Sequence, residues 1–184
     1  VLLVFLGLLV NNLFSIFLFN KYYMLEVATP IDQLDRRILS YLQRDSSMSV
    51  SEIADHVGLT QPPCWRRIRR LETEGLIERR VALLNARQLG LSVTIFARVK
   101  LSAHGKRSLP EFEEQILELP EVLECHKVIG DFDFLLKIVA RDLYAYEKLF
   151  REKLSQMPTV QEIHSNAALA HVKMTTELPL DQCL

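Results

Sequence analysis

Residues 49–75 read SVSEIADHVGLTQPPCWRRIRRLETEG. Ser49 and Glu52 stand in the S-x-x-E spacing of a capping box, so a helix is expected to start at Val50. Val50, Ile53, Ala54 and Val57 then recur at i, i+3, i+4 and i+7, one apolar stripe. Gly58-Leu59 ends that helix in a tight turn. A following helix is expected from an N-cap at Thr60 to about Glu74, with Gly75 as its C-terminal glycine. Pro62 and Pro63 fall in its first turn, where missing N–H groups cost little. Cys64, Ile68 and Leu71 form its core face. At 100° per residue, Arg66, Arg69 and Arg70 lie on the opposite side and Arg67 on the flank. The helix thus carries four arginines and no acid from Thr60 to Leu71, in a chain of net charge −1. A short helix, a glycine turn and a second helix with a basic outer face make a helix-turn-helix.

Upstream, Ile31, Leu34, Ile38, Tyr41 and Leu42 give a supporting helix over 33–44, with Asp32 as N-cap and Asp35 as a first-turn acid. Downstream, 76–84 is strand-like and is expected to form a wing. A helix that enters the major groove must offer donors to phosphates and base edges while its inner face is pinned. The DNA-contacting candidates are therefore Thr60, Gln61, Pro62, Trp65, Arg66, Arg67, Arg69 and Arg70 on the helix, and Arg79 and Arg80 on the wing. The competing possibility is a three-helix protein-contact module whose arginines are only solvated.

The second half changes character. Strands are expected over 93–101, 122–129, 134–140 and 160–170, with 172–176 as a candidate extension of the last. Amphipathic helices are expected over 109–119 and 142–157. Leu119-Pro120-Glu121-Val122 and Met157-Pro158-Thr159-Val160 match at a spacing of 38 residues. In each, a helix stops at proline and a strand begins two residues on, as a duplicated βαβ unit requires. The fold class is therefore α+β, an N-terminal winged helix-turn-helix plus a C-terminal ferredoxin-like βαββαβ domain. Two helices cover one sheet face. The other is expected to be an apolar face buried by homodimerisation.

Hydrophobic residues make up 49% of the 184 residues, unevenly: 17 of the first 23 belong to that set. Val1 to Phe19 carries no charge, and 19 helical residues would span about 28 Å, near a bilayer core. No positive region precedes this run and no small-residue cleavage site follows it. The first methionine is Met24, and the reading favours a mis-assigned start, with a membrane anchor as the alternative. Three cysteines, Cys64, Cys125 and Cys183, without a C-x-x-C, argue against a disulfide scaffold or zinc knuckle and for a reducing cytosol. The expected organisation is an apolar leader 1–23, a DNA-binding domain 30–84, a linker 85–92, a ferredoxin-like domain 93–176 and a tail 177–184.

The two halves together resemble the Lrp/AsnC family of leucine-responsive, or feast/famine, transcriptional regulators. The matching stretches are Leu34-Asp35-Arg36-Arg37-Ile38-Leu39, Val57-Gly58-Leu59-Thr60, Pro63-Cys64, Arg67-Ile68-Arg69-Arg70-Leu71-Glu72 and Gly75-Leu76-Ile77. In the second half they are Glu124-Cys125-His126 and Gly130-Asp131-Phe132-Asp133-Phe134-Leu135-Leu136-Lys137. The resemblance covers about residues 30–176. It implies a DNA reader joined to an effector-sensing domain of the RAM type, and dimers that assemble further, often to octamers. It also implies a small amino acid bound between dimers, double-stranded DNA as partner, and a cytoplasmic, nucleoid setting. Trp65 and Arg66 depart from the family pattern, where a less bulky or acidic residue is common.

By residue type alone, Gly130-Asp131-Phe132-Asp133 is either a β-turn or an amino-acid pocket, in which a carboxylate meets the α-ammonium and turn N–H groups meet the α-carboxylate. The resemblance favours the pocket, so Gly130, Asp131, Phe132 and Asp133 are the effector candidates. His126 and His164 each follow a repeat proline by six residues, with Cys125 adjacent. This topology sends their strands to opposite edges, so no metal site is expected. No cofactor, catalytic triad, phosphate loop or carboxylate dyad stands out, and no enzyme activity is expected. The alternatives are an enzyme resembling sirohaem decarboxylases on the same scaffold, and a membrane-tethered regulator.

Overall fold

The computed structural model describes residues 30–102 and 109–182. The leader 1–23 lies outside the described residues. The chain divides into two compact units, one reaching to Ala82 and resuming at Lys173, the other Leu83–Val172. The tail therefore rejoins the first unit.

In the first unit, α1 (Gln33–Arg44), α2 (Val50–Val57) and α3 (Gln61–Thr73) pack around one core. Ile38, Ile53, Ala54, Val57, Cys64, Ile68 and Leu71 are buried in it. Two of the three expected N-terminal caps form side-chain bonds, those of Asp32 and Ser49. Asp35 N donates to Asp32 Oδ1 at 2.8 Å, and Asp32 N donates to Asp35 Oδ2 at 3.1 Å. Ser49 N donates to Glu52 Oε2 at 2.7 Å, and Glu52 N to Ser49 Oγ at 3.2 Å. Each box satisfies N–H groups that the first helical turn leaves open. Gly58 ends α2 at φ 76°, the left-handed region that makes glycine the natural residue there. Arg37, on α1, donates to the carbonyls of His56 at 2.6 Å and Val57 at 3.3 Å, closing the C-terminus of α2.

The expected wing is not a strand: residues 78–85 carry no regular structure. Val81, Leu83 and Leu84 are exposed, and this stretch has no ladder partner among the described residues. Without a neighbouring strand, β-propensity alone does not fix an extended run.

The second unit orders β1 (Val93–Leu101), α4 (Leu109–Leu117), β2 (Val122–Lys127), β3 (Phe134–Ala140), α5 (Leu143–Glu152) and β4 (Val160–Ala167). The strands lie β2-β3-β1-β4, all antiparallel, with β3 and β1 central. This is the ferredoxin-like arrangement. The helix 142–157 is shorter than expected: a 3-10 turn, Leu154–Gln156, separates α5 from Pro158. The last strand stops at Ala167, and 172–176 does not extend it.

The 38-residue repeat has a common geometry. Val122 N donates to Leu119 O and Val160 N to Met157 O, both at 3.1 Å. The same turn around each proline thus launches β2 and β4. Ile95, Ala97, Val99 and Leu101 of β1, with Phe134, Leu136 and Ile138 of β3, are buried beneath the helices with Phe112, Ile116 and Leu149.

The alternate positions correct the expectation of an apolar outer face. Strand alternation sends Arg98, Lys100, Lys137, Glu124, Glu162 and His164 to that side. Lys137 Nζ lies 2.6 Å from Glu124, and His164 Nε2 lies 2.8 Å from Glu162. Phe96, Leu135 and Val139 share this face with the charged residues, so it is mixed and neither wholly apolar nor wholly charged.

The tail ends in a 3-10 turn, Leu180–Gln182, beside α1. Gln43 Nε2 donates to Leu178 O at 3.2 Å and Leu178 N donates to Gln43 Oε1 at 2.9 Å. Arg44 Nε pairs with Glu177 at 3.1 Å.

Candidate nucleic-acid interface and ligand cleft

The outer side of α3 is basic but not uniformly so. Arg66 has no ion-pair partner among the described residues, and Trp65 stands 52% exposed beside it. Arg69 lies 6.0 Å from the Trp65 ring centroid, within cation–π range, and 3.2 Å from Glu72. Thr60 holds the N-cap position without a side-chain capping bond. Gln61 and Pro62 are exposed in the first turn.

Arg67 and Arg70 behave differently, which corrects the picture of four outward cations. Arg67 Nη1 donates to Asp32 at 2.6 Å and to Asp35 at 2.8 Å. Arg70 Nη2 donates to the other oxygen of Asp35, and its Nε lies 3.7 Å from Glu74. Asp35 is fully buried, at 0% exposure. Its carboxylate accepts two guanidiniums and a backbone N–H, as a buried charge requires. The hydrogen bond to Asp35, then that to Asp32, raises the pKa of Arg67 above its ordinary value. Of the two wing candidates, Arg80 pairs with Glu72 at 2.9 Å, while Arg79 has no ion-pair partner among the described residues.

In the second unit, the predicted Gly130–Asp133 run splits. Asp131 and Phe132 line a cleft of about 200 Å³ with Arg98, Lys100, Glu162 and His164. Arg98 lies 5.7 Å from the Phe132 ring centroid. Asp133 instead fastens the turn: its Oδ2 accepts from Leu101 N at 2.8 Å and its N donates to Val99 O at 2.9 Å. Gly130, at φ 150°, bends the backbone into that turn. The cleft is smaller than the about 300–1,000 Å³ of typical ligand pockets, which suits a molecule of amino-acid size. Its lining brings two carboxylates, Asp131 and Glu162, together with Arg98, Lys100 and His164 beside an aromatic ring. Arg98, Lys100, Glu162 and His164 were missed because they belong to strands 30 residues from the turn. The signal was the polar alternation Arg98, Lys100 within β1.

The described residues contain no group of three or more metal-ligating side chains. His126 lies on β2 and His164 on β4, the two sheet edges. The Cys125 thiol is pushed up to about 11 by burial and by Glu113. No helix among the described residues is long and apolar enough to cross a membrane.

A helix-turn-helix followed by a four-stranded sheet unit is the two-part plan of a DNA-binding transcriptional regulator. Residues 31–78 match the family model described as winged helix-turn-helix DNA-binding, and 94–178 match the Lrp/AsnC ligand binding domain. The chain belongs to the Lrp/AsnC family. It is 38% identical over 148 residues to the leucine-responsive regulatory protein of Klebsiella pneumoniae, covering 80% of this chain and 90% of that one. It is 32% identical over 151 residues to the DNA-binding transcriptional activator DecR of Escherichia coli K12, covering 82% and 99%. Among solved structures it superposes with TM-score 0.79 on an AsnC family transcriptional regulator from Agrobacterium tumefaciens, at 40% identity, covering 84% and 100%. A Neisseria meningitidis transcriptional regulator, solved as an L-Met complex, gives TM-score 0.80 at 31% identity, covering 83% and 98%.

Proposed function

We propose that this chain reads a specific DNA sequence with α3 and adjusts that reading to a free amino acid held on its sheet unit. Trp65, Arg66, Arg69, Gln61 and Pro62 face base edges and nearby phosphates, Thr60 offers its hydroxyl to a phosphate, and Arg79 and Arg80 reach the flanking backbone. Arg67 and Arg70 serve the reader through their ion pairs with Asp35. The observation that carries the sensing role is the cleft chemistry. Asp131 can meet an α-ammonium while Arg98 and Lys100 meet an α-carboxylate, and Phe132 walls the side chain.

The domain limits follow as 30–84 for the reader and 93–176 for the sensor, joined by 85–92, with the tail 177–184. Copies associate as dimers and larger rings, octamers among them, and the amino acid sits where copies meet. Binding must favour one assembly over another to change DNA occupancy. The protein acts at the nucleoid, in the cytoplasm. The L-Met complex of the Neisseria relative supports an amino acid as the ligand class.

The test is a thermal-shift screen of the full chain against the twenty amino acids, followed by light scattering with and without any hit. A binder raises the melting temperature through preferential binding to the folded state. Asp131→Asn should abolish that shift. A full shift in Asp131→Asn, or no shift with any amino acid, would remove the cleft from the account.

A further inference from the structure

Four arginines on one helix would give α3 strong, undiscriminating attraction to any phosphate backbone, because that attraction carries no sequence information. Two of the four are withheld. Asp35 lies on α1, 32 residues before Arg67 and 35 before Arg70, and its side chain is 1% exposed. The Arg67 side chain is 28% exposed and the Arg70 side chain 42%, so Arg67 is half-buried while Arg70 is at the surface, tethered by its ion pairs. Asp35 also accepts the Asp32 N–H of its own capping box, which fixes its rotamer from a second direction.

We propose that Asp35 is a positioning residue for sequence discrimination. Its buried carboxylate holds Arg67 and Arg70 against α1, sets the roll of α3 about its axis, and leaves Arg66 and Arg69 with Trp65 as the presented set. Discrimination rises because the non-specific attraction is reduced by two cations while the base-facing residues are fixed. This rests on α3 being the DNA reader.

The experiment measures binding of the full chain to two duplexes by fluorescence anisotropy. One is enriched from a random pool by the wild-type protein, and the other is a scramble of it. Salt is varied from about 50 to about 200 mM. Asp35→Asn keeps an acceptor for the Asp32 N–H but loses the charge that holds both guanidiniums. Each freed phosphate contact steepens the log–log salt slope by about 0.9. Two released arginines therefore add a further loss of about tenfold in affinity across that salt range, and the ratio between the duplexes falls. Weaker binding to both duplexes with an unchanged slope would mean that Asp35 only supports the fold, and would overturn the proposal.

Arg70→Gln keeps the proposal testable should Asp35→Asn fail to fold, since Asp35 remains paired with Arg67. It should leave the slope unchanged, whereas Arg66→Gln should make it shallower by about one unit. An Arg70→Gln slope as shallow as that of Arg66→Gln overturns the proposal. No change in either variant would locate the fault in the reader assignment itself.

Discussion

Arg66 and Arg70 are one turn apart on the same side of α3, yet only Arg70 has acids within ion-pair distance among the described residues. Periodicity finds the side of a helix on which a residue sits. It cannot find a partner on another helix 35 residues away, so the division of the arginines was hidden while the core trio Cys64, Ile68 and Leu71 was plain. For Arg69, exposed and stacked near Trp65, the expected outcome of Arg69→Ala is weaker binding to every duplex, with a salt slope shallower by about one unit in a titration. Asp131 and Asp133, two residues apart, also separate. Asp133→Ala strands the Leu101 N–H and should lower stability by about 1 kcal/mol, measured by denaturant unfolding. It should leave the amino-acid response of the folded protein intact, whereas Asp131→Asn should remove it.

Among elements, those with a local cause were the most legible. The bounds of α1, α2, β1 and β3 follow from caps, stripes and turn residues within the segments themselves. The 76–84 wing failed because a strand depends on a partner that local sequence does not supply, and the second strand's predicted end at 129 overran for the same reason. The caps also set a pH response. Asp32 is held below the usual carboxylate range by the Asp35 N–H, Glu52 by Ser49 through its hydroxyl and N–H, and Asp142 by the Ala145 N–H. In the unfolded chain these groups titrate near about 4, so between that value and their folded values the unfolded state binds more protons. Their contribution is complete near neutrality and is lost as pH falls below about 4. Circular-dichroism melts should therefore show lower melting temperatures at pH 3 than at pH 7, and a flat profile would contradict these caps. Ser49→Ala should cost about 1 kcal/mol at any pH between 5 and 8, read by urea unfolding.

At the scale of the whole molecule, the two-part plan and the βαββαβ order were visible because proline-stopped helices alternate with apolar runs. The mixed outer face of the sheet, with Phe96 and Leu135 among charged neighbours, was not anticipated, since an apolar face was inferred from fold geometry and not from Arg98, Lys100, Glu162 and His164 in turn. The destination of the tail was equally invisible: Gln43, Arg44, Glu177 and Leu178 are ordinary surface residues until the chain brings them together. That return has a practical consequence. The first unit is a discontinuous body, made of two pieces of sequence with the sheet unit spliced between them. Truncating after Leu84 would yield a reader stripped of a strip of its own covering along α1. The described tail ends at Gln182 beside α1, so the second piece of the first unit is held to the first by Gln43 and Arg44.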